Sequence, residues 1–414
     1  MADSGGKRAS IAAAREAAMT RVPCACNAGA VACALAWTFR MNASPLRIES
    51  GELVALRLFD VAYAIDLAHA QRRFAEHLGA TGSRARLQAT PVKALAFGVP
   101  PLELPLRTVD VALGDARASG VVTARLYDFG VIVLALRVAI AGVSWDTFST
   151  RFNALDTSVG TDARDTPWAQ WLAEVRTIVA PALERPGDPT IEEDYLFGVV
   201  HTLDRPRSAT ELRDEADLVG LLGGETRPLS EGAARDLLQR SFSYYADDLV
   251  VLTWDRAFVY EPRGDSDVMN VIEVANAQLV ELRYYDELLD AELPLMYDRV
   301  EHARRAASLF ASRRFAHLAR RLYTLVAEVT ELTEKVDNAL QVTEDVYLAR
   351  VYSAALEQFR VPTVGAAVDR KLAIIRDTYT ALYDEASSRR AELLEIAIVL
   401  LIVIEIVLAL VGHV

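Results

Sequence analysis

Beyond Cys33 the chain contains no cysteine, and the three it has, Cys24, Cys26 and Cys33, fall within the first 40 of 414 residues. No disulfide framework can hold a body that lacks cysteine, and a reducing compartment is the default expectation. Cys24-Ala-Cys26 with a distant Cys33 and no neighbouring histidine is not zinc spacing. Histidine is scarce too. His69, His77, His201, His302, His317 and His413 form no closely spaced pair, which argues against a metal held through imidazole. There is no Gly-x-x-x-x-Gly-Lys phosphate loop, no Gly-x-Gly-x-x-Gly after a strand and no His-Glu-x-x-His. Positive charge is in deficit, with 44 Lys and Arg against 57 Asp and Glu, a net charge of −13. That balance excludes a DNA binder working through whole-molecule charge, since counterion release needs a basic surface.

What is present is apolar. Hydrophobic residues make up 52% of the chain, too many for intrinsic disorder. The mean hydropathy is +0.16 despite 101 formal charges, so the excess must be concentrated somewhere. Residues 1–40 are Ala-rich and mildly basic, which fits a secretory signal, a transit peptide or a disordered extension, and no chemistry is expected of them. From Leu46 to Ile140 short β-branched segments alternate with Gly and Pro. Val54–Phe59, Pro91–Val99, Thr108–Gly114 and Gly120–Val138 read as strands, Val61–Arg73 and Trp145–Leu155 as helices, and Asp128-Phe129-Gly130 as a turn. Residues 156–190 read as polar and irregular. A strand over Ile191–Thr202, helices over Glu211–Leu222 and Glu231–Gln239, and a hairpin over Ser241–Pro262 complete an α+β domain with a mixed or antiparallel sheet, taken as residues 41–267.

From Val268 the period changes to helical. Val268–Arg299 predicts one long helix. Leu318, Leu322, Leu325, Val329, Leu332, Val336 and Leu340 follow 4-3 spacing, as do Val368, Leu372, Ile375, Tyr379, Leu382 and Ala386 beyond the Phe-Arg-Val-Pro-Thr-Val-Gly break. The expectation is a helical hairpin or coiled-coil stalk over 268–390 that self-associates. The excess hydropathy sits in 391–414. Ile396–Val411 is 16 residues with one polar member, Glu405, about 24 Å of helix. It predicts a C-terminal transmembrane anchor. Arg389 and Arg390 before it place the body on the cytoplasmic side of a bacterial or organellar inner membrane. A carboxyl so placed is costly in lipid, so Glu405 is expected to face other copies of the helix in a homo-oligomer.

Two candidate sites follow. Glu192-Glu193-Asp194 before a strand, Asp247-Asp248 before a hairpin, and His201 supply carboxylates that could converge on a divalent cation. The weak catalytic candidates are Glu192, Asp194, His201, Asp247 and Asp248. Residues 191–300 carry 24 acidic and 10 basic side chains, and three Arg pairs come directly after: Arg304-Arg305, Arg313-Arg314 and Arg320-Arg321. Such a stripe suits RNA, a ribosome, anionic lipid or the protein's own acidic surface.

Four stretches carry a resemblance: Ala124–Leu136, Glu192–Leu203, Leu237–Asp290 and Arg389–Leu410. A Tyr-Asp-Phe-Gly-Val strand, an Asn-Ala-Gln-Leu-x-Glu-Leu-Arg-Tyr-Tyr helix and a Glu-bearing apolar C-terminus occur in that order. The chain resembles the "required for meiotic nuclear division" family of membrane-anchored proteins, in a bacterial-looking form. The resemblance implies one domain of unknown function, helices and a C-terminal membrane segment, with a link to organellar translation in the mitochondrial member, and no catalytic residues. Two functional expectations result. One is a tail-anchored homo-oligomeric scaffold without enzymatic activity or cofactor. The other is a membrane-anchored, metal-dependent hydrolase of nucleotides or phosphoesters.

Overall fold

Segments that read as strands pair into one mixed sheet. The computed structural model describes residues 46–79, 82–84, 95–160, 166–224, 227–264, 267–305, 311–338, 340–342 and 346–411. The 1–40 extension, with its cysteines, lies outside them. The strands are β1 (Arg47–Asp60), β2 (Ala62–Ile65), β3 (Ser83–Arg84), β4 (Leu95–Phe97), β5 (Leu102–Leu113), β6 (Ala116–Leu126), β7 (Val131–Ile140), β8 (Val143–Ser144), β9 (Leu183–Pro186), β10 (Glu192–Leu203), β11 (Ser241–Phe242), β12 (Leu249–Leu252), β13 (Arg256–Tyr260) and β14 (Leu340–Val342). The helices are α1 (Leu67–Leu78), α2 (Trp145–Val159), α3 (Trp168–Val179), α4 (Ala209–Glu215), α5 (Leu218–Gly223), α6 (Glu231–Leu237), α7 (Val268–Arg305), α8 (Ala311–Asp337), α9 (Val346–Gln358) and α10 (Val361–Val411).

The main sheet runs β11-β12-β13-β10-β1-β7-β6-β5-β3, with β8 added to β1. Its pairings are antiparallel except β10 with β13. The α+β reading with a mixed sheet followed by helices therefore describes the architecture. Central β1 is covered on both faces, which is why it reads as a nearly continuous apolar run. Leu53 and Ala55 join the core beneath α1, α2, α3, α4 and α5, whereas Val54, Leu56 and Leu58 join the core beneath the first half of α7 and α9. The helices after residue 268 thus begin as the second cover of the sheet. Further along α7, Tyr285, Leu289 and Met296 pack with Leu318, Leu322 and Val329 of α8 and with Val368, Ile375 and Leu382 of α10. The two heptad-like series meet inside one chain, and Tyr323 and Tyr379 stack at 5.8 Å.

Several expected boundaries shift for local reasons. Val61–Arg73 is not one helix: Ala62–Ile65 pairs with β9, and α1 starts only where Asp66 accepts hydrogen bonds from the Ala68 and His69 amides at 3.0 and 2.9 Å. Residues 156–190 are not irregular throughout. They contain α3, whose Trp168, Trp171, Leu172, Val175 and Ile178 are buried at helical spacing. Glu211–Leu222 divides at Asp217, which caps the Gly220 amide. Pro362 does not break a helix but sits at the start of α10, where a missing amide costs nothing.

The expected turn at Asp128-Phe129-Gly130 brings backbone close to backbone. Gly130 has φ +97°, and a Cβ there would lie 1.7 Å from the Ala62 carbonyl oxygen. Val61 donates to the Gly130 carbonyl at 3.1 Å and Ile65 to that of Asp128 at 3.0 Å, so this turn fixes the path of residues 61–65. Gly130→Ala is expected to cost about 3 kcal/mol, measured as a lowered denaturant midpoint at unchanged slope.

The expectation of a spanning helix finds no support. Among the described residues no helix is long and apolar enough to cross a membrane. In α10 the described side chains of the apolar end run from Leu394 to Leu408, and they are exposed, Leu401 at 64% and Leu408 at 66%.

Candidate functional site

The residues singled out in the sequence as catalytic candidates are not brought together. Glu192 and Asp194 open β10 and His201 lies near its other end, seven residues on, which is about 23 Å along a strand and on the opposite face. Glu192 lies 3.5 Å from the guanidinium of Arg57, and the intervening Glu193 pairs with Arg283. Asp248 accepts the backbone amides of Tyr244 and Tyr245 at 2.7 and 3.0 Å, which shapes the loop before β12. Asp247 acts electrostatically on Tyr260, whose strand position faces Val200, so Asp247 and Asp248 belong to the His201 end. Among the described residues no group of three or more His, Cys, Asp or Glu could hold a metal ion.

The arginine stripe divides likewise. The side chains of Arg304, Arg305, Arg313 and Arg314 lie outside the described residues. Arg320 is exposed, and Arg321 pairs at 3.3 Å with Glu292, which also takes Arg299 at 3.3 Å. Glu405 is exposed in the apolar end of α10, between the exposed Ile404 and Ile406.

A different constellation stands out for its chemistry. Where β1 ends, Asp60 is 6% exposed. Helix α7 brings Glu281, 1% exposed, and Tyr285, 3% exposed, to the same place. Glu281, Tyr284, Tyr285 and Leu288 follow i, i+3, i+4, i+7 and so share one stripe of α7. The Tyr285 hydroxyl donates to Oε1 of Glu281, and Oε2 of Glu281 is buried with no hydrogen-bond partner among the described residues. Burial, opposed by the Ala62 amide, pushes the Asp60 carboxyl up to about 7. Burial first, and then the charge of Asp60, push Glu281 well above the carboxylate range. Two carboxyl groups desolvated together cannot both ionise cheaply, so the pair retains protons at neutral pH.

Beside this pair lies a cavity of about 130 Å³, lined by Asp60, Tyr63, Tyr284, Tyr285, Leu325 and Val329 among others. Arg185 of β9 also lines it. Its guanidinium sits 4.1 Å above the Tyr63 ring and 2.8 Å from Glu328 of α8. Arg185 holds φ +46°, an uncommon conformation for a residue with a Cβ. Four segments distant in sequence therefore build one small, aromatic-walled, acid-floored space. Such a space can hold a proton or a positively charged group.

Sequence reasoning missed these residues. The available signals were Asp60 as the lone acid in Val-Ala-Leu-Arg-Leu-Phe-Asp-Val-Ala-Tyr, and Glu273, Asn276, Gln278 and Glu281 recurring in a stretch, 271–282, whose other positions are apolar. All four of those α7 side chains are buried. Glu273 accepts from Arg125 and Tyr127 at 3.1 and 2.9 Å. Gln278 accepts from Tyr352 at 2.7 Å.

Comparison with known proteins gives a family. The profile described as "Uncharacterized protein MJ0711, N-terminal domain" matches residues 50–267. Uncharacterized protein MJ0711 of Methanocaldococcus jannaschii is 26% identical over 194 residues, 47% of this chain and 58% of that relative. The match thus spans little more than half of the relative's length. No solved structure matches.

Proposed function

We propose that this chain, which belongs to the family of the N-terminal domain of uncharacterized protein MJ0711, is a membrane-anchored homo-oligomeric scaffold whose α+β domain is held at a bilayer by the end of α10. The observation that carries this reading is the exposure of Leu394–Leu408. In that stretch apolar side chains occupy every side of the helix and none is covered by the other described residues. A helix apolar all round is stable only when something buries it. Hydrocarbon does so most simply, for a segment preceded by Arg389 and Arg390. The resemblance to the "required for meiotic nuclear division" family supports the same arrangement, with a tethering role toward a ribosome or RNA through the arginine-rich start of α8. Glu405, costly in lipid, supplies the contact between copies. The alternative of a metal-dependent hydrolase has no constellation among the described residues to support it.

Truncation after Arg390 tests the proposal. The truncated protein is expected to leave the membrane pellet for the soluble fraction and to sediment as a monomer, whereas the full chain in detergent sediments as an oligomer. Unchanged fractionation would overturn the anchor, and an unchanged mass distribution would overturn the role of Glu405.

A further inference from the structure

We propose that the cavity between Asp60, Tyr63, Tyr284 and Tyr285 is a binding site for a small alkylammonium cation, with Asp60 as its counter-charge. The walls choose the ligand class. Three tyrosine rings and the apolar side chains of Leu288, Leu325 and Val329 surround the space. A hydrated divalent cation needs six or more oxygen ligands, and this lining does not offer them. An alkylammonium needs one carboxylate, aromatic faces and apolar contact for its methyl groups.

The structure already shows that the Tyr63 ring accepts a cation. Arg185 lies over one face of Tyr63 at 4.1 Å, with Lys335 Nζ at 5.9 Å. Behind the wall, Glu281 is 1% exposed and its Oε2 has no hydrogen-bond partner among the described residues. Its Oε1 is engaged by Tyr285, which lines the cavity. Tyr285 thereby ties the cavity wall to a second buried carboxyl group within electrostatic reach of Asp60. Size limits the ligand further. About 130 Å³ is the share of roughly four water molecules in the liquid, enough for methylammonium or tetramethylammonium and too little for tetrapropylammonium. The ion pair between Arg185 and Glu328 also lines the space, so a bound cation sits beside Arg185.

Isothermal titration of the full chain in detergent with tetramethylammonium chloride, at constant ionic strength and pH 8, tests this. Saturable binding is expected, with methylammonium competing and tetrapropylammonium not. Asp60→Asn should weaken binding at least about tenfold, Tyr63→Leu about fivefold, and Tyr63→Phe less than about twofold, because the ring and not the hydroxyl faces the cation. Absent saturation, equal affinity in Asp60→Asn, or Mg²⁺ or K⁺ displacing tetramethylammonium at equal concentration would each overturn the proposal. Should Asp60→Asn fail to fold, the contrast between Tyr63→Leu and Tyr63→Phe carries the decision: a difference supports it and none overturns it. Two sources share this chemistry, a free amine and a choline headgroup. Displacement by phosphatidylcholine vesicles but not phosphatidylglycerol vesicles identifies the lipid, and displacement by neither identifies the free cation. The site lies away from the α10 end, so it stands or falls separately from the membrane anchor.

Discussion

Asp60→Asn is expected to raise the thermal midpoint at pH 8 by roughly 5–10 °C and to leave it unchanged near pH 4. The sign follows from proton linkage. The Asp60 carboxyl titrates at about 7 in the folded chain, against an ordinary value of 3.8. Between those values the folded state holds a proton that the unfolded state has released, so stability falls as pH rises. The destabilisation is absent below pH 4, grows through the window and is complete above pH 7. A displacement of about three pH units corresponds to about 4 kcal/mol as an upper bound. Glu281 acts in the same direction, since burial and the Asp60 charge raise it too. Asparagine fills the same volume and never ionises, which removes the Asp60 contribution and relieves Glu281 of a like charge. Calorimetric midpoints of both proteins from pH 4 to 8 should diverge steadily. Parallel curves would show that Asp60 ionises in the fold at no cost. Tetramethylammonium at pH 8 should raise the midpoint of the natural chain and not of the variant, which separates a ligand site from a merely strained carboxyl.

The asymmetry between what was legible in this sequence and what was not has a physical origin. The β6–β7 hairpin is visible because Gly130 punctuates two β-branched runs, and φ +97° requires that glycine. The hairpin of β12 and β13 and the long helix beginning at Val268 are visible for similar reasons: their periodicity is local. The helix α3 was hidden because polar residues and prolines flank it, although Trp168, Trp171, Leu172 and Val175 have helical spacing. The Asp60 cavity has no local signature. Its lining comes from β1 and β2, from the β9 segment at 185–187, and from α7 and α8, and nothing in any one stretch announces the others. Glu281 adds a second difficulty. On a helix with one solvated face a glutamate is unremarkable, and only the sheet covering one side of α7 and the packing of α8 and α10 further along make it a buried charge. The acidic clusters that did attract notice, Glu192–Asp194 and Asp247-Asp248, are sequence neighbours. Strand neighbours such as Glu193 and Asp194 point to opposite faces, and Asp247 and Asp248 lie in the loop before β12, so adjacency made the clusters conspicuous without bringing them to one place.

Glu273→Ala is expected to destabilise the protein by about 3–5 kcal/mol, more than any single truncation of an exposed ion pair. Glu273 takes Arg125 at 3.1 Å and the Tyr127 hydroxyl at 2.9 Å. The same guanidinium reaches Asn270 at 2.9 Å and Glu103 at 3.1 Å. Burial works against the charge of Arg125, and Glu273 is the first of the groups that restore it. Removing Glu273 leaves Glu103, which is itself 36% exposed, as the carboxylate at that buried cation, and strands the Tyr127 hydroxyl. Tyr127→Phe, which deletes one donor and leaves the ion pair, should cost only about 1 kcal/mol. The double variant Arg125→Met with Glu273→Leu should recover much of the loss, because matched apolar groups replace a pair whose desolvation was expensive. Urea denaturation of the four proteins tests this, and a double variant as unstable as Glu273→Ala would refute the account. This network joins β5 and β6 to α7 eight residues before Glu281, so it also sets the height at which Glu281 and Tyr285 meet Asp60. Partial loosening of α7 in Glu273→Gln should therefore weaken tetramethylammonium binding while leaving membrane fractionation unchanged, since the exposed end of α10 owes nothing to this ion pair.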